Sequence, residues 1–124
     1  MAEHPNVALV RKMTDDMNSG SPSVEDAIDD NIVWHEIGRA EPRRGKAELR
    51  ALMTPGATDY TLSGNLHDVI ANDDHTVALF DAVGTRNGKT LHYRVAEIYH
   101  IKDGKIIERW AFSDDTAAIT AFFA

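Results

Sequence analysis

The stretch NGKTLHYRVAEIYHIKDGKIIERWAFS, residues 87–113, decides the fold. It opens on Asn87-Gly88 and turns again at Asp103-Gly104. Each dipeptide suits a two-residue hairpin turn, whose two central residues need positive φ. Between the turns lies TLHYRVAEIYHI (90–101), dense in β-branched and aromatic residues. TVALFDAVGT (76–85) precedes the first turn and KIIERWAFS (105–113) follows the second. Three long strands joined by tight turns are antiparallel neighbours.

The N-terminal third reads differently. Pro5 is a favourable first helical residue, and Val7, Val10, Met13 and Met17 recur at helical spacing until Gly20. A short second helix is expected over Val24–Ile28, with Ser21 and Ser23 as caps. A third covers Lys46–Met53, with Leu49, Leu52 and Met53 as its apolar side and Pro55-Gly56 as its stop. Strands are expected over Asn31–Glu36, followed by a hairpin through Gly38, and over Tyr60–Val69. The tail TAAITAFFA (116–124) suits a helix or a strand. The sum is an α+β fold: helices covering one face of a curved, mostly antiparallel sheet and leaving a conical pocket. With no repeat or linker, residues 1–124 read as a single domain.

Composition narrows the function classes. The chain is 43% apolar and 27% charged, ordinary for a globular protein. No apolar run is long enough to cross a membrane, and charges interrupt the start MAEHPNVALVRKMTDDMNSG where a secretory leader would be apolar. The absence of cysteine excludes disulfide and thiolate chemistry and fits a cytoplasmic protein. A net charge of −7 repels phosphate backbones, so nucleic acid is not an expected partner. The basic cluster Arg43, Arg44 and Lys46, flanked by Glu41 and Glu48, reads as a solvated turn.

Strand periodicity then sorts side chains by face. Ile32, Trp34 and Glu36 share one side of the first strand, with His35 on the other. Tyr93, Val95, Glu97, Tyr99 and Ile101 share a largely apolar side that carries a charge in its middle. Two glutamates on apolar faces of separate strands suit acid/base work, one ionised as a base and the other protonated as a donor. A strand bulge, access to water or an arginine partner would equally accommodate either one.

At these residues the sequence resembles the ketosteroid isomerases, within the NTF2-like and SnoaL-like cone-fold superfamily. The resemblance runs over about residues 7–112, through MNSG, GRAEPRRGKAELR and NGKTLHYRVAEIYHIKDGKI. It implies that Glu36 is the general base and Glu97 the protonated donor. Met13 falls where that family has its oxyanion tyrosine, and Met53 near a second pocket tyrosine. Methionine offers no hydrogen-bond donor, so Tyr60, Tyr93 or Tyr99 would have to supply one. The SnoaL-like cyclases place a working acid near the end of the last strand, which adds Asp114 as a candidate; a helix cap is its alternative role. The superfamily's epoxide hydrolases use an acid–arginine–acid set, and Arg94, three residues from Glu97, faces away from it.

The expected pocket wall is Met13, Trp34, Met53, Tyr60, Phe80, Tyr93, Tyr99 and Trp110. No metal-binding spacing occurs, His92 and His100 being eight residues apart, and no cofactor fingerprint is present. The expected function is cofactor-free proton transfer, isomerase- or cyclase-like, on a small hydrophobic carbonyl or enol compound. Binding without catalysis, and a protein-interaction module, are the alternatives. A homodimer through the outer sheet face is expected in each case.

Overall fold

A computed structural model describes residues 3–54 and 56–124, with Met53 described by its backbone alone. Helix α1 spans Pro5–Ser19. The His4 side chain caps its start, and Gly20 closes it at φ 71°, its N–H reaching the carbonyls of Asp16 and Met17. Val7, Val10 and Met13 form the buried face of α1 and pack towards the sheet. The expected second helix is a single 3-10 segment, Pro22–Ala27. Ile28 already belongs to strand β1 (Ile28–Trp34). β2 (Arg43–Arg44) and helix α2 (Lys46–Met53) follow. Then come β3 (Tyr60–Ala71), β4 (Thr76–Arg86), β5 (Lys89–Lys102) and β6 (Lys105–Ser113). The tail resolves as helix α3 (Thr116–Phe123), capped by Asp115 rather than Asp114.

The six strands form one sheet in the order β2-β1-β6-β5-β4-β3. Every pairing is antiparallel except β1 with β6, which is parallel. Both hairpin turns read from the sequence are present, with positive φ at Asn87, Gly88, Asp103 and Gly104. One face of the sheet packs against α1 around Ile28, Ile32, Leu49, Tyr99 and Ile106.

A bulge in the β5–β6 hairpin sets which side chains enter the cone. Near the turn Lys102 opposes Lys105 and Ile101 opposes Ile106. The register then shifts, so that His100 opposes Glu108, Tyr99 opposes Arg109 and Glu97 opposes Ala111. The extra residue, Ile107, turns the rest of β6 over. Without it Trp110 would lie opposite Glu97 and point inward. With it Arg109 points inward, and Trp110 lies on the outer face opposite Ile98. Trp110 is therefore not a pocket-wall residue. Its indole sits between His35, stacked at 5.2 Å, and His100, edge-on at 4.9 Å.

Candidate functional site

Glu97 and Tyr99 are buried on the inner face of β5. The Tyr99 hydroxyl donates to Glu97 Oε2 at 3.0 Å. Arg109, brought inward by the bulge, donates through Nε to Glu97 Oε1 at 2.5 Å, and its Nη2 also pairs with that oxygen. The guanidinium lies 4.3 Å from the Trp34 ring centroid, a cation–π contact. Every group aimed at Glu97 here is a donor, so the carboxyl acts as an acceptor and not as the neutral donor the resemblance implied. The arginine partner is Arg109 of the neighbouring strand; Arg94 faces outward towards Asp81.

The same arginine holds the chain before Glu36. Its Nη1 donates to the His35 carbonyl at 2.9 Å, and its own carbonyl accepts the His35 N–H at 2.9 Å. His35 is thus tied to Arg109 at both backbone groups, while its ring faces outward to Glu108 at 3.0 Å. Glu36, one residue on, lies past the end of β1. Its Oε1 accepts from Arg43 Nε at 2.5 Å, and its side chain is one-quarter exposed. It is a rim residue and does not share a dry hollow with Glu97. Among the described residues, its Oε2 meets no protein donor.

Glu36 lines a cavity of about 560 Å³ at the mouth of the cone. Ile37, Leu52, Ile119 and Phe123 supply its apolar wall, and Arg39, Arg43, Glu48 and Tyr60 its polar one. This volume suits a small organic ligand. Arg43, expected in a solvated turn, is part of the site.

The remaining candidates separate by location. Tyr60 is on the cavity wall, edge-on to Phe123 at 4.7 Å. Tyr93 is half-buried on the far side of Phe123, at 6.4 Å. Tyr99 is fully buried. Met13 and Phe80 are packed into the core, away from the open cavity. The Met53 side chain falls outside the described residues. Asp114 is exposed; its carboxylate accepts the Arg94 N–H at 3.1 Å, extending the β5–β6 pairing past Ser113, and it does not line the cavity. Among the described residues, no three metal-ligating side chains converge, and no helix is long and apolar enough to cross a membrane.

All three tyrosines hold their protons more tightly than a free phenol. Burial raises Tyr99 well above the ordinary value, and the Glu97 charge adds to it. Burial pushes Tyr93 up to about 12, Glu97 adding and Arg109 opposing. Tyr60 is raised by burial first and by the Glu36 charge second. Tyr60 is therefore a neutral hydroxyl donor on the cavity wall.

A helix-covered cone with this rim defines a class. The SnoaL-like domain family matches residues 10–109, and the chain belongs to it; the fold is NTF2-like. Among solved structures it is similar to Bal32a from a soil-derived mobile gene cassette (23% identity, 96% of each chain, TM-score 0.84). A putative SnoaL-like polyketide cyclase from Jannaschia sp. aligns at 17% identity over 100% of this chain and 98% of that one, TM-score 0.78. An LEH-like epoxide hydrolase of M. tuberculosis aligns at 15% over 87% and 81%, TM-score 0.76. No functionally curated protein matches the sequence.

Two outcomes follow from the buried charges. Arg109→Met strands a buried carboxylate and lowers unfolding free energy by about 3–5 kcal/mol. Adding Glu97→Gln to that variant recovers more than half of the loss, as read from urea denaturation of the single and double variants. The tyrosine shifts give a pH outcome. Because each folded value lies above the unfolded one, the native chain keeps phenolic protons that the unfolded chain releases. Stability is intact below about pH 10 and falls as pH climbs towards 12. Phenolate absorbance at 295 nm then lags behind that of the unfolded chain, and a native-state midpoint near 10 for all three tyrosines contradicts the burial argument.

Proposed function

We propose that the protein carries out cofactor-free proton transfer on a small hydrophobic carbonyl or enol compound bound in the rim cavity, with Glu36 as general base. One observation carries this reading. The Glu36 carboxylate forms part of the wall of an apolar cavity, held at one oxygen by Arg43 and unbonded at the other among the described residues. A base needs that arrangement: a fixed geometry and one free lone-pair oxygen. Tyr60, neutral and on the same wall, is the hydrogen-bond donor for the oxyanion that forms when the carbon acid loses its proton. Glu97 is not assigned that role, because Tyr99 and Arg109 already donate to it. The neighbours described as a polyketide cyclase and an epoxide hydrolase support the shape alone.

Binding without turnover is the second reading, favoured by Met13, buried and donor-less where the ketosteroid isomerases place a tyrosine.

Turnover on a panel of enolisable ketones separates the two. Glu36→Gln lowers kcat by about 10²-fold or more, the usual contribution of a positioned base. Tyr60→Phe lowers it by about 10²-fold. Unchanged rates in Glu36→Gln remove the base, and ligand binding with no turnover by the wild type selects the second reading.

The homodimer belongs to the same proposal. Ile98, Trp110 and the exposed Phe112 form an apolar stripe on the outer face, beside the oppositely charged Arg94 and Asp81. A twofold-related copy would meet that stripe with an identical one and each charge with its opposite. In sedimentation velocity the wild type runs as a dimer and Phe112→Asp as a monomer; a monomeric wild type overturns the assignment.

A further inference from the structure

We infer that the rim cavity takes an amphiphilic anion, an apolar chain or ring ending in a carboxylate whose charge sits against Arg39. The inference rests on the cavity assigned above as the substrate site, and it stands whether or not Glu36 proves to be a base.

The argument starts from the charge balance. Acids outnumber bases by twenty to thirteen, so a guanidinium in this chain readily finds a carboxylate. Arg11, Arg43, Arg50, Arg86, Arg94 and Arg109 each lie within 3.8 Å of one. Among the described residues, Arg39 and Arg44 have no such partner, and of the two only Arg39 lines the cavity. The acids of that wall have protein partners of their own, Glu36 through one of its two oxygens. Glu36 accepts from Arg43, and Glu48 accepts the Arg44 backbone N–H at 2.7 Å.

The backbone of Arg39 is fixed, while its side chain is exposed. Its N–H donates to the Glu36 carbonyl at 3.3 Å, closing a tight turn. Gly38, at φ +79°, presses that turn onto α3. A Cβ there would come 2.3 Å from Thr120 Oγ1, so the backbone approaches α3 as only glycine allows. The turn therefore sets an arginine with no carboxylate partner among the described residues at the edge of a cavity lined by Ile37, Leu52, Ile119 and Phe123. Arg43 adds a second guanidinium edge: only its Nε is used by Glu36 among the described residues. Planar N–H forks of this kind recognise carboxylates. An apolar wall below and a cationic rim above fit a molecule with one end of each sort.

Octanoate and octan-1-ol, which share a chain and differ in head-group charge, test this by isothermal titration calorimetry at low salt. Octanoate binds about tenfold more tightly than octan-1-ol, the effect of one charge-assisted hydrogen bond. Arg39→Gln removes that preference and leaves the octan-1-ol affinity unchanged, while Arg44→Gln alters neither. Equal binding of the two probes to the wild type, binding of neither, or an octanoate preference that survives Arg39→Gln overturns the inference. Turnover by Glu36→Gln reads the base, whereas octanoate binding by the wild type and Arg39→Gln reads the anion site, so a failed base and a failed anion site give different results.

Discussion

The fold depends on one buried ion pair. Arg109 and Glu97 sit on adjacent strands of the inner sheet face, with side-chain exposures of 12% and 11%. Taking two charges out of water costs several kcal/mol each, and their attraction offsets this only when the remaining hydrogen-bonding groups are also met. Here they are. Glu97 receives Tyr99 as well as the guanidinium, and Arg109 spends Nη1 on the His35 carbonyl and its π face on Trp34. One side chain thus connects β5, β6 and β1.

That connection falls where the sheet is weakest. β1 meets β6 in the one parallel pairing, and its register is broken between Ile28 and Val33. The ladder past that break is short. His35, bound to Arg109 through both its N–H and its C=O, extends it by one residue and fixes the exit direction of the chain. The peptide after His35 belongs to Glu36. The ion pair in the cone thereby sets the position of the carboxylate at the rim, although the two glutamates never share a cavity. Arg109 is a positioning residue in this sense, since it reaches Glu36 only through the backbone.

Much of this was legible in the residues. The turn dipeptides at 87–88 and 103–104 fixed three strands and their order, because positive φ at two successive positions is rarely tolerated outside such turns. Period-two alternation correctly put Val95, Glu97 and Tyr99 on one buried face. Alternation fails across a bulge, however, and nothing in KDGKIIERW marks Ile107 as the extra residue. An unbulged hairpin sends Trp110 inward and Arg109 out, the choice hydrophobicity also favours, since a tryptophan looks more like core than an arginine does. The single-residue shift therefore hid both the partner of Glu97 and the outer location of Trp110. A stronger clue was available in Glu97 itself, because a carboxylate on an apolar face calls for a cation on one of the two neighbouring strands. Arg43 was missed for a related reason: a basic run in a turn looks solvated until the fold folds it back beside Glu36.

The location of the cavity follows from what fills the cone. Met13, Tyr99, Ile32 and Ile106 are essentially inaccessible, so the narrow end is solid. Open volume lies towards the rim, between α2, α3 and the Glu36–Arg39 turn. α3 is held there by shape. Phe123 sits over Gly84, where a Cβ would come within 2.6 Å of its ring, and edge-on to Tyr60. Two glycines thus define the cavity from opposite sides, Gly84 by admitting Phe123 and Gly38 by admitting Thr120. A side chain at either position would push on Thr120 or on the Phe123 ring, which is part of the apolar wall. The buried ionic centre and the apolar wall of the rim are therefore built from different elements. The former orients Glu36 through β1, and the latter sets what lies against it.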